Sequence, residues 1–464
     1  MNPLSLSELA DILDGRLVAA AAMDDACIER SVSIDSRTLQ AGEIFVALAG
    51  RQQHGCNFVR HALEQGASAA VVERPVDVPL PQIVVADSRT ALWRMACWQK
   101  EATDALIIAI TGSVGKTSTR NMLHGVLAQQ YRGRQSPQNY NNELGVPLSL
   151  LQITPADEFA VIEIAANGPG EIARLSALAA PEIGILTSVG PAHLEGFGSL
   201  SGVIQEKSQL LAALPESGLT VIPGHLAHLP DIRKAIRTPV VTVGSTPDNN
   251  IVATEIACTA PGLEFNVDGR NFRLAVQGTH LLNSALMCLA VGRELGMDDD
   301  QIQSGFDRFQ SVPGRGEIKQ TSFGCLIDDS YNANPLSMAA GLDLLRHQQG
   351  VQRRIAVLGD MAELGAESVA LHRKVGHRVA HGDCDYLITY GSRARDMARG
   401  AHAAGMSSNC IACFDTIHEL LPILSLWLAP GTAVLVKGSR SMHMEAIVSA
   451  LEASDQRQWQ AAAA

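Results

Sequence analysis

The sequence predicts an α/β protein of three domains: a small α/β amino-terminal domain, a central parallel-sheet domain, and a carboxyl-terminal doubly wound, Rossmann-like domain. The length of 464 residues accommodates three hydrophobic cores at about 150 residues per domain. The 46% apolar and 18% charged residues are typical of a folded globular chain. Short apolar runs alternate with amphipathic helical stretches, which is the pattern of α/β folds.

The first domain is predicted over residues 1–102. The apolar run EIFVALAG is followed by the helical stretch NFVRHALEQG and then by the runs ASAAVVE and PQIVVAD. Strands and helices that alternate at such short intervals indicate a small α/β unit. The polar stretch QKEATD separates this unit from the next one.

The second domain is predicted over residues 103–312. It opens with ALIIAI, a continuous apolar run of the kind that forms strands buried on both faces. The runs FAVIEIA, EIGILTSV and LTVIPG have the same character, and helical stretches lie between them. This alternation predicts a parallel sheet with helical crossovers.

The third domain is predicted over residues 313–464. The apolar runs CLIDDS, RRIAVLGD, DYLITYG and TAVLVKGS each end in polar residues or glycine. Ligands of doubly wound sheets bind beyond the carboxyl ends of the strands. Here those ends carry DDSYNANP, GDMAEL, YGSR and KGSR, so we expect a ligand-binding domain.

A glycine-rich turn after ALIIAI predicts a phosphate-binding loop, which makes the central domain a P-loop ATPase domain. Its glycines let backbone N–H groups and the start of a helix face anionic oxygens. The lysine would reach the β- and γ-phosphates of ATP, and the threonine hydroxyl would reach Mg²⁺. Because Ile110 occupies the first position of GxxxxGK[ST], a purely structural turn is the alternative. The predicted loop comprises Thr111, Gly112, Ser113, Val114, Gly115, Lys116, Thr117 and Ser118.

Two further side chains of the central domain, Glu163 and His193, are candidates for metal binding, each with an ordinary alternative. Glu163 lies inside the apolar run VIEIA, where its charge needs a cation such as Mg²⁺ or a nearby arginine. His193 follows a strand and is either a ligand of a metal or phosphate, or a loop histidine. On physical grounds alone, Lys207 is predicted to be a solvated surface charge.

In the third domain, Asp329 ends a predicted strand and Tyr331 follows it. The carboxylate can accept ribose hydroxyls and the ring can stack on a base; a turn held by Asx hydrogen bonds is the alternative. Arg315 lies at the junction of the second and third domains, from which a guanidinium can reach a phosphate on domain closure.

Composition excludes several classes of function. The net charge of −12 and pI of about 5.6 argue against nucleic-acid binding, which needs a basic face. No apolar run reaches the roughly 18 residues of a membrane span, and the amino terminus lacks the pattern of a signal peptide. Nine scattered cysteines suit a reducing compartment. We therefore expect a cytoplasmic monomer without membrane insertion.

Eight strings in order, TGSVGKTS, NYNNELGVP, VIEIAANGPGEI, HLEGFGS, SVPGR, DDSYNANP, GDMAELG and VKGSR, resemble the Mur ligase family of peptidoglycan synthesis over nearly the whole chain. The resemblance implies that Thr117 and Glu163 hold one Mg²⁺, and that His193 and a carbamylated Lys207 hold a second. It assigns catalysis to Lys116, His193 and Lys207, and further contacts to ATP or the UDP-sugar to Asn142, Asn283, Arg315, Asp329, Ser36 and Arg37.

Two positions depart from the family pattern. Leu281 and Ser284 occupy places where the family usually has asparagine, and Asn283 is the neighbouring candidate for the nucleotide contact. The family's Asp-Gly-His-x-Phe is replaced by the sequence from His54 to Phe58.

The resemblance implies ATP-dependent ligation of D-alanyl-D-alanine to UDP-N-acetylmuramoyl-tripeptide through an acyl phosphate. Two alternatives remain at this point. One is another amide ligase on the same framework, either a folylpolyglutamate synthetase or an enzyme that adds a single amino acid. The other is a non-catalytic phosphate-loop module that binds nucleotide and switches a partner.

Overall fold

The computed structural model describes residues 1–18, 27–28, 31–50, 52–259 and 262–463. The chain forms α/β layers around sheets that are mostly parallel, which confirms the predicted fold class. Within the described residues, no helix is both long enough and apolar enough to cross a membrane.

The amino-terminal region contains a five-stranded sheet of order β2-β7-β6-β5-β4 and a two-stranded sheet of β1 and β3. In the larger sheet, only the β2–β7 pair is antiparallel. The strands are β1 (Leu4–Ser5), β2 (Arg16–Val18), β3 (Cys27–Ile28), β4 (Val32–Ser33), β5 (Ile44–Val46), β6 (Ala69–Val72) and β7 (Gln82–Val84), and the helices are α1 (Leu6–Leu13), α2 (Val59–Glu64) and α3 (Ser88–Glu101).

The central region contains a seven-stranded parallel sheet of order β14-β13-β12-β11-β8-β10-β9. Its strands are β8 (Leu106–Thr111), β9 (Gly133–Gln135), β10 (Phe159–Glu163), β11 (Ile183–Leu186), β12 (Leu219–Pro223), β13 (Val240–Gly244) and β14 (Ile251–Val252). The helices are α4 (Lys116–Leu127), α5 (Gly145–Leu150), α6 (Glu171–Ala179), α7 (Leu194–Phe197), α8 (Leu200–Ala212), α9 (Gly224–Ala227), α10 (Pro230–Ala235), α11 (Leu282–Glu294) and α12 (Asp299–Asp307).

An antiparallel sheet of three strands follows the parallel one, and the sequence analysis did not predict it. Its strands are β15 (Thr254–Thr259), β16 (Gly262–Val267) and β17 (Arg270–Leu274). The buried residues of β16 and β17, among them Phe265 and Phe272, join the core under α11 and α12. The sheet therefore extends the central hydrophobic core.

The carboxyl-terminal region contains a six-stranded sheet of order β18-β19-β23-β20-β21-β22, parallel except for the β18–β19 pair. Its strands are β18 (Glu317–Thr321), β19 (Gly324–Asp329), β20 (Arg353–Gly359), β21 (Tyr386–Tyr390), β22 (Ile411–Phe414) and β23 (Thr432–Lys437), and its helices are α13 (Pro335–Arg346), α14 (Ser368–Ala380), α15 (Arg395–Ala403), α16 (Ile417–Trp427) and α17 (Glu445–Ala463).

Burial explains why β8 and β10 form the centre of the parallel sheet. Residues 107–111 and 159–163 are all buried, as expected for strands covered by helices on both faces. Helix α4 packs its apolar side, including Met122 and Val126, against this sheet. The loop between β8 and α4 is thereby fixed at the carboxyl edge of the sheet.

Candidate functional site

A cavity of about 660 Å³ lies between the central and carboxyl-terminal regions. The loop after β8 and the carboxyl end of β10 contribute to its wall from one side, and the carboxyl ends of β19 and β23 contribute from the other. Asn334 links the two sides, because its side-chain amide donates a hydrogen bond to the carbonyl of Ser113 at 3.3 Å. The same side chain caps α13 by accepting from the Ser337 N–H.

The phosphate loop connects β8 to α4, as predicted. The φ of Gly112 is +153°, and a Cβ there would lie 2.0 Å from the Thr187 hydroxyl, so glycine is required. The Lys116 ammonium donates to the Gly112 carbonyl at 2.7 Å, and burial lowers its pKa. The predicted loop residues that line the cavity are Ser113, Val114, Gly115, Lys116 and Ser118; Thr111, Gly112 and Thr117 do not line it.

Glu163 ends β10 as a buried carboxylate with three donors around it. Thr117 and Arg120 donate to one carboxylate oxygen at 2.9 and 3.2 Å, and Asn141 donates to the other at 2.8 Å. The structure contains the arginine partner that was the alternative for Glu163, and it places Thr117, the other predicted ligand of the ion, within hydrogen-bond distance of the same carboxylate. Sequence reasoning missed Arg120 and Asn141, although Arg120 lies one helical turn after Lys116.

Lys207 is buried on α8, with 2% of its surface exposed, so the prediction of a solvated surface charge was wrong. Burial and the nearby Lys116 ammonium lower the pKa of Lys207 to about 7, and Glu206 opposes the shift. At neutral pH, therefore, a substantial fraction of this amine is uncharged.

His193 precedes α7 and lines the cavity. Its Nδ1 contacts the carboxylate of Glu363, which belongs to the loop after β20. Burial lowers the pKa of His193; Glu363 opposes that shift, and the charges of Lys116 and Lys207 reinforce it. His193 and Lys116 of the phosphate loop line the same cavity.

On the other side of the cavity, Asp329 at the end of β19 pairs with Lys437 at the end of β23 over 2.7 Å. The Arg315 guanidinium lies 4.2 Å from the centre of the Tyr331 ring, in a position that the sequence analysis assigned to a nucleotide base. Burial raises the pKa of Asp329, and the Lys437 ammonium opposes that shift. Lys437 was not predicted as an individual site residue, although its strand end was.

Besides Thr111, Gly112 and Thr117 of the loop, five candidates from the sequence do not line this cavity, namely Lys207, Asn142, Asn283, Ser36 and Arg37. The Asn142 side chain accepts from the backbone N–H groups of Leu144 and Gly145 at the start of α5. Asn283 lies on α11 outside the cavity lining, whereas Leu281 and Ser284 belong to it. In the amino-terminal region, Ser36 shares a hydrogen bond with His61, and Arg37 is exposed beside Asp35.

Comparison with known proteins identifies matches along the whole chain. Residues 30–95 match the Mur ligase family catalytic domain, residues 110–292 the Mur ligase middle domain, and residues 314–440 the Mur ligase glutamate ligase domain. A UDP-N-acetylmuramoyl-tripeptide–D-alanyl-D-alanine ligase from Escherichia coli is 36% identical, covering 97% of this chain and 99% of that protein. The corresponding ligase from Synechocystis is 33% identical, covering 98% of this chain and 99% of that protein.

Solved structures agree with the sequence relatives. A crystal structure of MurF from Acinetobacter baumannii has a TM-score of 0.86 at 30% identity, covering 97% of this chain and 98% of that one. MurF ligase from Thermotoga maritima in complex with ADP has a TM-score of 0.80 at 26% identity, covering 93% of this chain and 99% of that one. With matches that span its length in both sequence and structure, the chain belongs to the Mur ligase family.

Proposed function

We propose that this protein uses ATP to join D-alanyl-D-alanine to UDP-N-acetylmuramoyl-tripeptide. The proposal rests mainly on the observation that the phosphate loop and the strand ends of the third domain line the same cavity. The named relatives that cover the chain from end to end all join these two substrates by name.

The proposed reaction has two steps. The tripeptide carboxylate attacks the γ-phosphorus of ATP in line and ADP leaves, which gives an acyl phosphate. The free amine of the dipeptide then attacks the acyl carbon and expels phosphate. Lys116 and the amino terminus of α4 stabilise the phosphate charge, while the wall of the third domain limits the access of water to the acyl phosphate.

Magnesium fits the oxygen groups at the end of β10. The Thr117 hydroxyl lies 2.9 Å from a carboxylate oxygen of Glu163, and Mg²⁺ prefers hydroxyl and carboxylate oxygens together with substrate phosphates. Such an ion supplies charge neutralisation for the phosphoryl group in transfer. The described residues contain no cluster of three or more His, Cys, Asp and Glu side chains placed for a metal, so Thr117 and Glu163 would hold the ion together with phosphate oxygens of ATP and water.

A second Mg²⁺ fits His193 only if Lys207 becomes an anion. The depressed pKa of Lys207, about 7, leaves a nucleophilic amine that can react with CO₂ and release one proton. The resulting carbamate carries a negative charge beside the Lys116 ammonium. Incubation with ¹³C-labelled bicarbonate tests this assignment, because a carbamate carbon signal should be present in the native chain and absent from Lys207→Met.

The three predicted domains divide the substrates among them. Residues 1–102, including Ser36 and Arg37, hold the UDP-sugar, residues 103–312 hold the phosphates of ATP, and residues 313–464 hold the dipeptide and part of the nucleotide. Asp329 and Arg315 lie in the cavity wall, where they contact ATP.

A phosphate-release assay tests the function. The purified chain is incubated with ATP, Mg²⁺, a panel of UDP-muramoyl peptides and either D-alanyl-D-alanine or single amino acids. We expect ADP, phosphate and an amide product only with the tripeptide and the dipeptide. Formation of AMP and pyrophosphate, or turnover with glutamate or another single amino acid instead of the dipeptide, would contradict the proposal.

Matched lysine variants make the assay specific. Lys116→Met should reduce turnover about a hundredfold or more, because it removes a preorganised positive charge from the phosphates. Lys374→Met changes an exposed lysine of α14 outside the cavity and should leave turnover unchanged. Equal activity in both variants would exclude the phosphate loop as the reaction site.

A further inference from the structure

Among the described residues, three carboxylates line the cavity, and they differ in their partners. Glu163 is paired with Arg120, and Asp329 is paired with Lys437. Glu363 has His193 as its ion partner in the described chain, and 53% of its side chain is exposed. It is therefore the cavity carboxylate without a lysine or arginine partner.

The loop that carries Glu363 is held at consecutive residues. The Met361 N–H donates to Nε2 of His372 at 3.0 Å, and the Ala362 N–H donates to the Ser439 hydroxyl at 2.7 Å. Glu363 itself has a φ of +60°, in the left-handed region that a glutamate rarely adopts. These contacts determine the direction in which its carboxylate leaves the third domain.

Glu363 also reaches across to the central domain. Its carbonyl accepts a hydrogen bond from the Glu195 N–H at 3.0 Å, and its carboxylate contacts His193. Glu363 and His193 line the same cavity as Lys116 of the phosphate loop, so the carboxylate belongs to the wall that the two domains share. Through this contact the third domain brings a negative charge next to His193 of the central domain.

The positively charged side chains around the cavity do not suit the ammonium group of an incoming amino-acid substrate. Lys116, Arg315, Lys437 and Arg440 line it, and they suit the phosphates of ATP. The incoming substrate, in contrast, presents an α-ammonium group, because α-amino groups have a pKa near 8. That group has to reach the acyl carbon beside the transferred phosphate, so it needs an anionic acceptor there.

We propose that Glu363 binds the α-ammonium group of the incoming dipeptide and directs its nitrogen toward the acyl carbon, and that the ammonium gives one proton to the carboxylate or to water before the free amine attacks. This assignment rests on the proposed function and adds a substrate-binding residue to it. Closure of the third domain would then bring the dipeptide nitrogen to the reacting centre, because the loop that holds the ammonium also contacts the central domain through Glu195. Phosphorylation of the tripeptide carboxylate, which precedes entry of the amine, needs no such contact.

Glu363→Gln tests the inference because it removes the charge and keeps the shape. The KM for D-alanyl-D-alanine should rise about tenfold or more, as expected for the loss of a charge-assisted hydrogen bond. Acyl phosphate formation without the dipeptide, measured by positional isotope exchange in ATP, should stay within about twofold of the native chain. Glu367→Gln, an exposed change in the same loop outside the cavity, is the matched control and should alter neither quantity.

An uncharged analogue of the dipeptide, with a hydroxyl in place of the amine, adds a readout that a structural role would not change. The native chain should bind the amine in preference to the hydroxyl, and Glu363→Gln should lose most of that preference. An unchanged KM, an equal loss in isotope exchange, or a retained preference would overturn the inference. Failure of the native chain to form any amide would instead refute the proposed function, so the two failures are distinguishable.

Discussion

The buried ion pair between Asp329 and Lys437 makes a quantitative test of the third domain possible. These residues end the neighbouring parallel strands β19 and β23 and are direct partners in the strand register. Lys437 is 1% exposed and donates to the Asp329 carboxylate at 2.7 Å and to the Asn332 carbonyl at 2.8 Å. Asp329→Asn keeps the shape of the aspartate and removes the counter-ion of a buried ammonium.

The expected cost follows from the burial of both partners. Burial lowers the pKa of Lys437 and Asp329 raises it, so the aspartate offsets part of the cost of burying the ammonium. Breaking a buried pair typically costs about 3–5 kcal/mol. The Asp329 side chain is 16% exposed, which leaves some solvent near the pair, so we expect the free energy of unfolding to fall by about 3 kcal/mol.

A double variant separates the ion pair from other effects. Asp329→Asn combined with Lys437→Met removes both charges and should recover most of the loss, ending within about 1–2 kcal/mol of the native chain. The measurement is urea denaturation followed by circular dichroism, with hydrogen exchange of β19 and β23 to report on the third domain. Asp383→Asn, which breaks an exposed pair with Arg346, is the control and should cost at most about 1 kcal/mol.

Two outcomes would refute this reasoning. If the free energy of unfolding of Asp329→Asn lies within about 1 kcal/mol of that of the native chain, the buried ammonium does not depend on its counter-ion for stability. If the double variant is no more stable than the single one, the loss comes from packing or from the hydrogen bond to Asn332 and not from an unpaired charge.

Three further predictions concern the central domain. The pKa of Lys207 is about 7 in the folded chain and 10.5 in the unfolded chain. The burial of this amine therefore lowers the free energy of unfolding by its largest amount below pH 7 and does not lower it above about pH 10.5. Without bicarbonate and Mg²⁺, Lys207→Met should therefore exceed the native chain in stability at low pH, by at most about 5 kcal/mol, and that advantage should shrink as pH rises in urea titrations. Thr117→Val should raise the Mg²⁺ concentration for half-maximal turnover about tenfold. Asn142→Ala should cost about 1 kcal/mol in thermal unfolding with little loss of activity, whereas Asn141→Ala should lower turnover.

The phosphate loop and the third-domain strand ends could be predicted because their signals are local. An apolar strand, a glycine turn and a helix follow one another without interruption from Leu106 to Leu127, so the chain itself determines their contact. Parallel strands also bring their carboxyl ends to one edge, which is why Asp329 and the KGSR segment meet in the cavity. The antiparallel sheet of β15–β17 was missed because its alternation is irregular where β15 contains a bulge.

Lys207 shows how residue type can outweigh periodicity in a sequence-based prediction. Val203 precedes it by four residues and Leu211 follows it by four, so all three lie on the same side of α8. Val203 and Leu211 are both buried, and Lys207 is buried on the same side of the helix. The burial was therefore visible in the spacing, but a charged side chain on a helix is usually assigned to solvent.

The two alternatives for Glu163, a metal ligand or an arginine partner, are better understood as parts of one arrangement. Lys116, Thr117 and Arg120 lie within about one turn of α4, so the helix that binds phosphate also brings a hydroxyl and a guanidinium to the end of β10. Arg120 offsets the cost of burying the carboxylate when no metal is bound. If Glu163 holds Mg²⁺ as proposed, the ion would share that carboxylate when MgATP is bound and would reduce its attraction for the guanidinium. Arg120→Met should thus destabilise the free chain more than the chain saturated with MgATP, and an equal loss of stability in both states would show that the arginine is simply structural.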